Sequence, residues 1–183
     1  MPILTQEPDV FPDELLDSDI DPQLNWCVVH TRPRQEKTLG RKLRTLGIGH
    51  YIPQSEKKYR SPNGRKRTSF VPLFPGYAFV LCNDEQKLAI YTTNAVAKVL
   101  DVVDGEQLLF DLRQVRRLTM TGKALSRMDH MPPGTRVRVK SGPFAEFEGL
   151  VLKQRTGDRL LVAVNYLQQG VTIELEDYEL EEI

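Results

Sequence analysis

The period of the apolar side chains changes along this chain and divides it into stretches of different character. Residues 1–23 are acidic, punctuated by Pro2, Pro8, Pro12 and Pro22, and have no sustained period, which predicts a disordered tail. Trp26-Cys27-Val28-Val29-His30 then reads as a short buried strand. Pro33 suits the first turn of a helix, where its missing N–H costs nothing. Leu39, Leu43 and Leu46 recur at i, i+4 and i+7, with Arg41, Lys42 and Arg44 on the other faces and Gly47 as a stop. That spacing predicts an amphipathic helix with a basic outer surface. A strand-like segment runs from Tyr51 towards Tyr59, Ser61-Pro62-Asn63-Gly64 is a hairpin turn, and Thr68 to Val71 leads back.

Tyr77 to Cys82 is a core strand, Asp84 to Thr93 a second helix, and Val96 to Val103 another strand. Asp111 is placed to cap a third helix in which Leu112, Val115 and Leu118 share a face. The order β-α-β-β-α-β-α over residues 24–121 fits a split β-α-β arrangement, an antiparallel sheet with flanking helices. Residues 122–133 show no core pattern and end in Met131-Pro132-Pro133-Gly134, as an interdomain linker does. From Thr135 the period becomes 2: Thr135 to Lys140, Gly149 to Gln154, Leu160 to Tyr166 and Val171 to Glu176 predict short strands of a small, SH3-like β-barrel over 134–183. The fold class is therefore α+β.

Charge sharpens this division. The chain has 183 residues and a formal net charge of zero. Yet residues 1–25 carry seven acidic and no basic side chains, residues 26–70 twelve basic against two acidic, and residues 141–183 three basic against nine acidic. Such asymmetry marks interaction surfaces. Cys27 and Cys82 both lie in apolar runs and suit two reduced core thiols. No apolar stretch approaches the roughly 20 residues needed to span a bilayer, and the first 25 residues lack a signal-peptide pattern. A cytoplasmic, monomeric protein without membrane partner is expected.

Enzymatic chemistry finds little support. His30, His50 and His130 are the only histidines, and none has ligand spacing to another His or to Cys, so no metal and no cofactor is expected. Neither a Gly-rich phosphate loop nor a nucleophile elbow occurs. Binding chemistry is better represented. Lys57, Lys58 and Arg60 on one side of the turn and Arg65, Lys66 and Arg67 on the other, with Tyr59 among them, suit a phosphate-contacting finger with a stacking ring. A solvated hairpin tip is the plainer reading. Arg32, Arg34, Arg41 and Arg44 extend that basic surface. Pro75-Gly76 between Phe74 and Tyr77 breaks strand alternation and turns one ring outward, the kind of anchor a protein interface uses. In the C-terminal domain Phe144 and Phe147 straddle a turn, one suited to the interior and the other to a partner; Gly142 and Gly149 answer backbone needs.

Leu73-Phe74-Pro75-Gly76-Tyr77-Ala78-Phe79-Val80 resembles the signature of the NusG N-terminal (NGN) domain, and Trp26-Cys27-Val28-Val29 resembles its opening strand. Gly134 to Val139 followed by Gly142-Pro143-Phe144-Ala145-Glu146-Phe147-Glu148-Gly149-Leu150-Val151 resembles a KOW motif. The resemblance covers residues 24–183 and implies a non-catalytic transcription elongation factor of the NusG family. It implies docking on the clamp of RNA polymerase through Phe74, Pro75 and Tyr77, contact with nucleic acid in the elongation complex, and recruitment of Rho or a ribosomal protein by the KOW domain through Phe144 and Phe147. Ile90-Tyr91-Thr92-Thr93-Asn94 is similar to a threonine-rich segment that specialised paralogues of the RfaH, LoaP and UpxY types direct at the polymerase, which adds Tyr91, Thr92 and Thr93 to the expected contacts. The expectation is an operon-specific processive antiterminator. The alternatives are a housekeeping factor and a ribosome-associated RNA-binding protein; the latter needs a basic barrel, whereas residues 141–183 sum to minus six.

Overall fold

A computed structural model describes residues 6–130, 132–153, 157–175 and 179–183. Two compact units follow one another, Met1–Gly105 and Glu106–Ile183.

In the first unit the elements are β1 (Val10–Phe11), β2 (Asn25–Thr31), α1 (Glu36–Thr45), β3 (Gly49–Tyr51), β4 (Gln54–Arg60), β5 (Lys66–Pro72), β6 (Tyr77–Cys82), α2 (Asp84–Thr92) and β7 (Val96–Asp101). Five of the strands form an antiparallel sheet in the order β1-β3-β6-β2-β7. Among the described residues β4 and β5 pair only with each other, as a separate ribbon. Leu39 and Leu43 of α1 are fully buried with Val29, Ile48, Ile52, Val80 and Ile90. Such one-sided packing stabilises a helix whose isolated propensity is marginal at this length. Leu46 falls outside the expected stripe: the helix ends at Thr45, Leu46 is its C-cap and is 47% exposed, and Gly47 reverses the chain at φ +67°. A reciprocal capping box starts α2, with Asn83 Oδ1 accepting from Gln86 N at 2.9 Å and Gln86 Oε1 accepting from Asn83 N at 3.0 Å. Cys27 and Cys82 are free, buried thiols with Sγ atoms 3.4 Å apart.

The acidic N-terminal stretch departs from the expected disordered tail over residues 6–23. Val10 and Phe11 pair with Tyr51 and His50 at the sheet edge, Ile52 N donates to Asp9 O at 2.7 Å, and Leu15 and Leu16 are buried. Three apolar side chains and an edge ladder order a segment whose average composition points the other way.

The second unit comprises α3 (Gly105–Met120), which starts at the unit boundary, then β8 (Ser126–Met128), β9 (Thr135–Val139), β10 (Glu148–Leu152), β11 (Arg159–Val164), β12 (Gln169–Glu174) and β13 (Leu180–Glu182). The strands form one antiparallel sheet in the order β13-β9-β10-β11-β12-β8. It is not a closed barrel: among the described residues no ladder joins β13 to β8. β8 lies inside the stretch expected to be linker and pairs with β12. In β9 Val137 and Val139 alternate into the core as the period of 2 requires, whereas in β11 and β12 the intervening Leu161 and Thr172 are buried along with Leu160, Val162, Val171 and Ile173. At Gly149 a Cβ would lie 2.3 Å from Leu161 O, so the close approach of β10 to β11 requires glycine. The expected strand ends at Gln154 and Glu176 lie outside the described residues.

Asp111 is not a cap. The third helix begins six residues earlier, and Asp111 is buried mid-helix, where its carboxylate accepts from Asn165 N at 2.8 Å and from Gln107 Nε2 at 2.8 Å. Gln114 Oε1 accepts from Glu148 N at 2.7 Å, so α3 is bonded to the sheet at both points. Among the described residues no helix is long and apolar enough to cross a membrane.

Candidate functional site

The β4–β5 ribbon carries the basic hairpin. Its register pairs Lys57 with Ser69, Lys58 with Thr68, Tyr59 with Arg67 and Arg60 with Lys66. Gly64 at φ +74° turns the tip, with Ser61 N donating to Arg65 O and Gly64 N to Ser61 O. Lys57, Lys58, Arg60, Arg65, Lys66 and Arg67 are all exposed, and the Tyr59 ring is 46% exposed beside them. Lys58 meets Glu56 at 3.6 Å; among the described residues the other five cations meet no carboxylate. Arg60 faces Lys66 directly across the strands, a like-charge pair that is destabilising unless an outside anion answers it.

At the root of the ribbon the chain enters the Leu73–Tyr77 turn. Leu73 N donates to Pro53 O at 2.7 Å, and Tyr77 N to Phe74 O at 3.1 Å. Gly76 adopts φ +85°, and its N–H donates to Glu36 Oε1 at 2.7 Å. The two rings then part. Phe74 is 1% exposed and packs edge-on against Phe79 at 6.1 Å, so the expected outward ring is not Phe74. Tyr77 is half-buried and stacked on the exposed His30 at 5.3 Å. Beside this turn lies a depression of about 710 Å³ lined by His30, Pro33, Phe70, Val71 and Pro75, with Arg32, Arg34 and Lys37 also in its wall. His30, Phe70 and Val71 were not singled out from sequence; they come from two elements distant in the chain, β2 and β5, and no local spacing announces them. Glu36 could have been suspected as an acid in the first turn of a helix, but its partner Gly76 is 40 residues away.

At the end of α2, Tyr91 is exposed and its hydroxyl accepts from Val99 N at 3.2 Å. Thr92 is exposed with Oγ1 donating to Ala89 O, whereas Thr93 is buried and donates to Ile90 O at 2.7 Å. Thr93 is therefore structural in this conformation. In the second unit Phe144 and Phe147 are both buried, edge to face at 5.7 Å, and neither is the outward knob expected. The 142–147 loop folds back because Glu146 takes φ +68° and Val139 and Phe147 close a backbone bond of 2.9 Å. The Arg117 guanidinium covers the Phe147 ring at 4.2 Å and Lys123 the Phe144 ring at 5.1 Å.

The geometry describes a two-unit α+β protein whose first unit sets an exposed cationic ribbon beside an apolar turn. Residues 24–119 match the family described as "Transcription termination factor nusG". That is more than half of the chain, and the chain belongs to the NusG family. It is similar to the transcription termination/antitermination protein NusG of Pseudomonas aeruginosa, 28% identical over 177 residues that cover 86% of this chain and 98% of the relative. The NusG of Borreliella burgdorferi is 25% identical over 180 residues, with the same coverage of 86% and 98%. That of Pasteurella multocida is 28% identical over 145 residues, covering 73% and 77%.

Proposed function

We propose that this transcription termination/antitermination factor binds RNA polymerase through the depression beside the Leu73–Tyr77 turn and acts as an operon-specific processive antiterminator. The observation that carries the proposal is continuity: β5 supplies Phe70 and Val71 to the apolar wall and Arg67 and Lys66 to the cationic ribbon. One rigid element thus presents an apolar anchor for a protein and a row of cations for a phosphate backbone. Pro75, Tyr77 and His30 form the protein-facing part, while Phe74 supports the turn from within the core. Tyr91 and Thr92 are a second polymerase contact, held in place by Thr93. Lys57, Lys58, Tyr59, Arg60, Arg65, Lys66 and Arg67 contact nucleic acid without reading sequence. The second unit recruits a ribosomal protein or Rho, with Phe144 and Phe147 shaping the 142–147 loop from beneath.

The relatives' shared designation favours a second reading, a housekeeping factor that acts on all operons. Transcription in vitro separates the two: an operon-specific factor increases read-through of a terminator only behind its own leader sequence. The polymerase contact itself is tested by Tyr77→Ala. Retention of core RNA polymerase by the folded variant should fall about tenfold or more, equivalent to about 1.4 kcal/mol. Retention equal to that of the parent chain removes the assignment.

A further inference from the structure

The ribbon is not the only cationic surface of the first unit. Lys37, Arg41 and Arg44 stand at i, i+4 and i+7 of α1 and therefore share one face. The carboxylate that meets this face comes from the chain's own N-terminal segment. Glu7 Oε1 accepts from Arg41 Nη2 at 2.6 Å and Glu7 Oε2 from Arg41 Nε at 3.0 Å, a bidentate fork, and Arg44 Nη2 lies 3.5 Å from Oε2. Lys37 adds to the positive field around that carboxylate. Backbone bonds hold Glu7 in place: Arg44 Nη1 donates to Pro8 O at 3.2 Å, Gln54 Nε2 to Glu7 O at 3.3 Å, and β1 is laddered to β3.

A planar guanidinium fork that takes a carboxylate bidentately takes a phosphate in the same way. Among the described residues Glu7 is the carboxylate these three cations share, which leaves this face with excess positive charge. The arrangement runs along a helix rather than closing into a pocket, which suits a polymer of phosphates better than a single small anion. We propose that the Lys37–Arg41–Arg44 face of α1 binds a nucleic-acid backbone, and that Glu7 occupies it intramolecularly in place of a phosphate. The site is separate from the β4–β5 ribbon and does not depend on the function assigned to it. Residues 1–23 precede the part of the chain that matches the family, and the competing carboxylate lies among them.

The test uses the full chain and a fluorescently labelled 20-base-pair DNA duplex, with binding measured by anisotropy from 50 to 300 mM salt. Glu7→Gln keeps the side chain's volume and removes its charge. It should free about one more phosphate contact, tightening binding about eightfold at 0.1 M salt and steepening the salt slope by about 0.9. Arg41→Ala with Arg44→Ala should cancel that gain, and the gain should persist when Arg65, Lys66 and Arg67 are all replaced by Ala. In the unaltered chain, NMR signals of Arg41 and Arg44 Nε–H should shift when duplex is added. Unchanged binding by Glu7→Gln together with unmoved Arg signals overturns the proposal. So does a gain that survives loss of Arg41 and Arg44, or one that vanishes with the ribbon cations. Equal or tighter binding of a polyglutamate peptide by Glu7→Gln overturns the assignment to nucleic acid.

Discussion

The β4–β5 ribbon and the six-stranded sheet of the second unit are both antiparallel and both carry cations, Lys and Arg on the ribbon and Arg in the sheet strands, yet they use them in opposite ways. Among the described residues three of the sheet's four arginines are answered, Arg136 being the exception. Arg138 pairs with Glu148 at 2.6 Å, Arg127 with Asp129 at 2.6 Å, and Arg159 bonds Glu174, Thr172 and Ser126. On the ribbon five of six cations have no acidic partner among the described residues, and two of them face each other. A paired cation contributes to its own fold; an unpaired row raises the local potential and waits for an external polyanion. The difference teaches where function lies more clearly than net charge does, since that is zero.

The ribbon must also be held rigidly to present its charges, and the largest expected effect concerns its root. Phe74 is buried against Phe79, whereas Tyr77, three residues on, is half-buried. Phe74→Ala should destabilise the first unit by about 3–5 kcal/mol through the cavity it leaves. Denaturant unfolding measures this, and a loss under about 1 kcal/mol would mean that Phe74 is not the ribbon's anchor.

A pH effect of similar origin separates the units further. Burial holds the His50 pKa down to about 4, from an ordinary 6.5, with Nδ1 at 2.9 Å from Ile48 O. The folded imidazole therefore stays neutral while the unfolded one takes up a proton. Stability contributed by the neutral form is complete above pH 6.5 and is lost as pH falls towards 4. The loss is on the order of 3 kcal/mol, with none added by this group below pH 4. His50→Phe should flatten that part of the pH profile relative to the parent chain; parallel profiles from pH 7 to 4 would show that His50 titrates freely in the folded unit.

The apolar runs Trp26 to His30 and Tyr77 to Cys82 were legible because each is long enough for burial to dictate a strand, and they pair over six residues at the centre of the sheet. The ribbon was legible because Asn63-Gly64 demands a turn and the flanking charges leave no other place for it. β1 was not, because two apolar residues among carboxylates carry no period, and only the open edge of β3 gives them a partner. Nor was the inward direction of Phe74, Phe144 and Phe147. Each lies at a turn, where positive φ at Gly76 and Glu146 decides which way a ring points and alternation no longer applies. Asp111 misled for a related reason: a carboxylate suits a helix start, but here it satisfies the N–H of Asn165, 54 residues away.

The smallest effect on stability is the sharpest test of the comparison. Arg65, Lys66 and Arg67 are exposed and meet no carboxylate among the described residues, so replacing all three with Ala should change unfolding free energy by no more than about 0.5 kcal/mol. Binding should respond instead. Each lost phosphate contact removes about 0.9 from the salt slope on duplex DNA, so the triple variant should bind with a slope shallower by about 2 to 3. Arg159→Ala in the second unit should do the reverse. Its guanidinium is largely buried and bonds Thr172 Oγ1 at 3.1 Å, so its loss should lower the melting temperature while leaving the salt slope unchanged. Anisotropy titrations and thermal melts on the two variants decide the matter. If Arg159→Ala flattens the slope as much as the ribbon variant does, pairing does not silence a cation towards nucleic acid, and the contrast between the two regions fails.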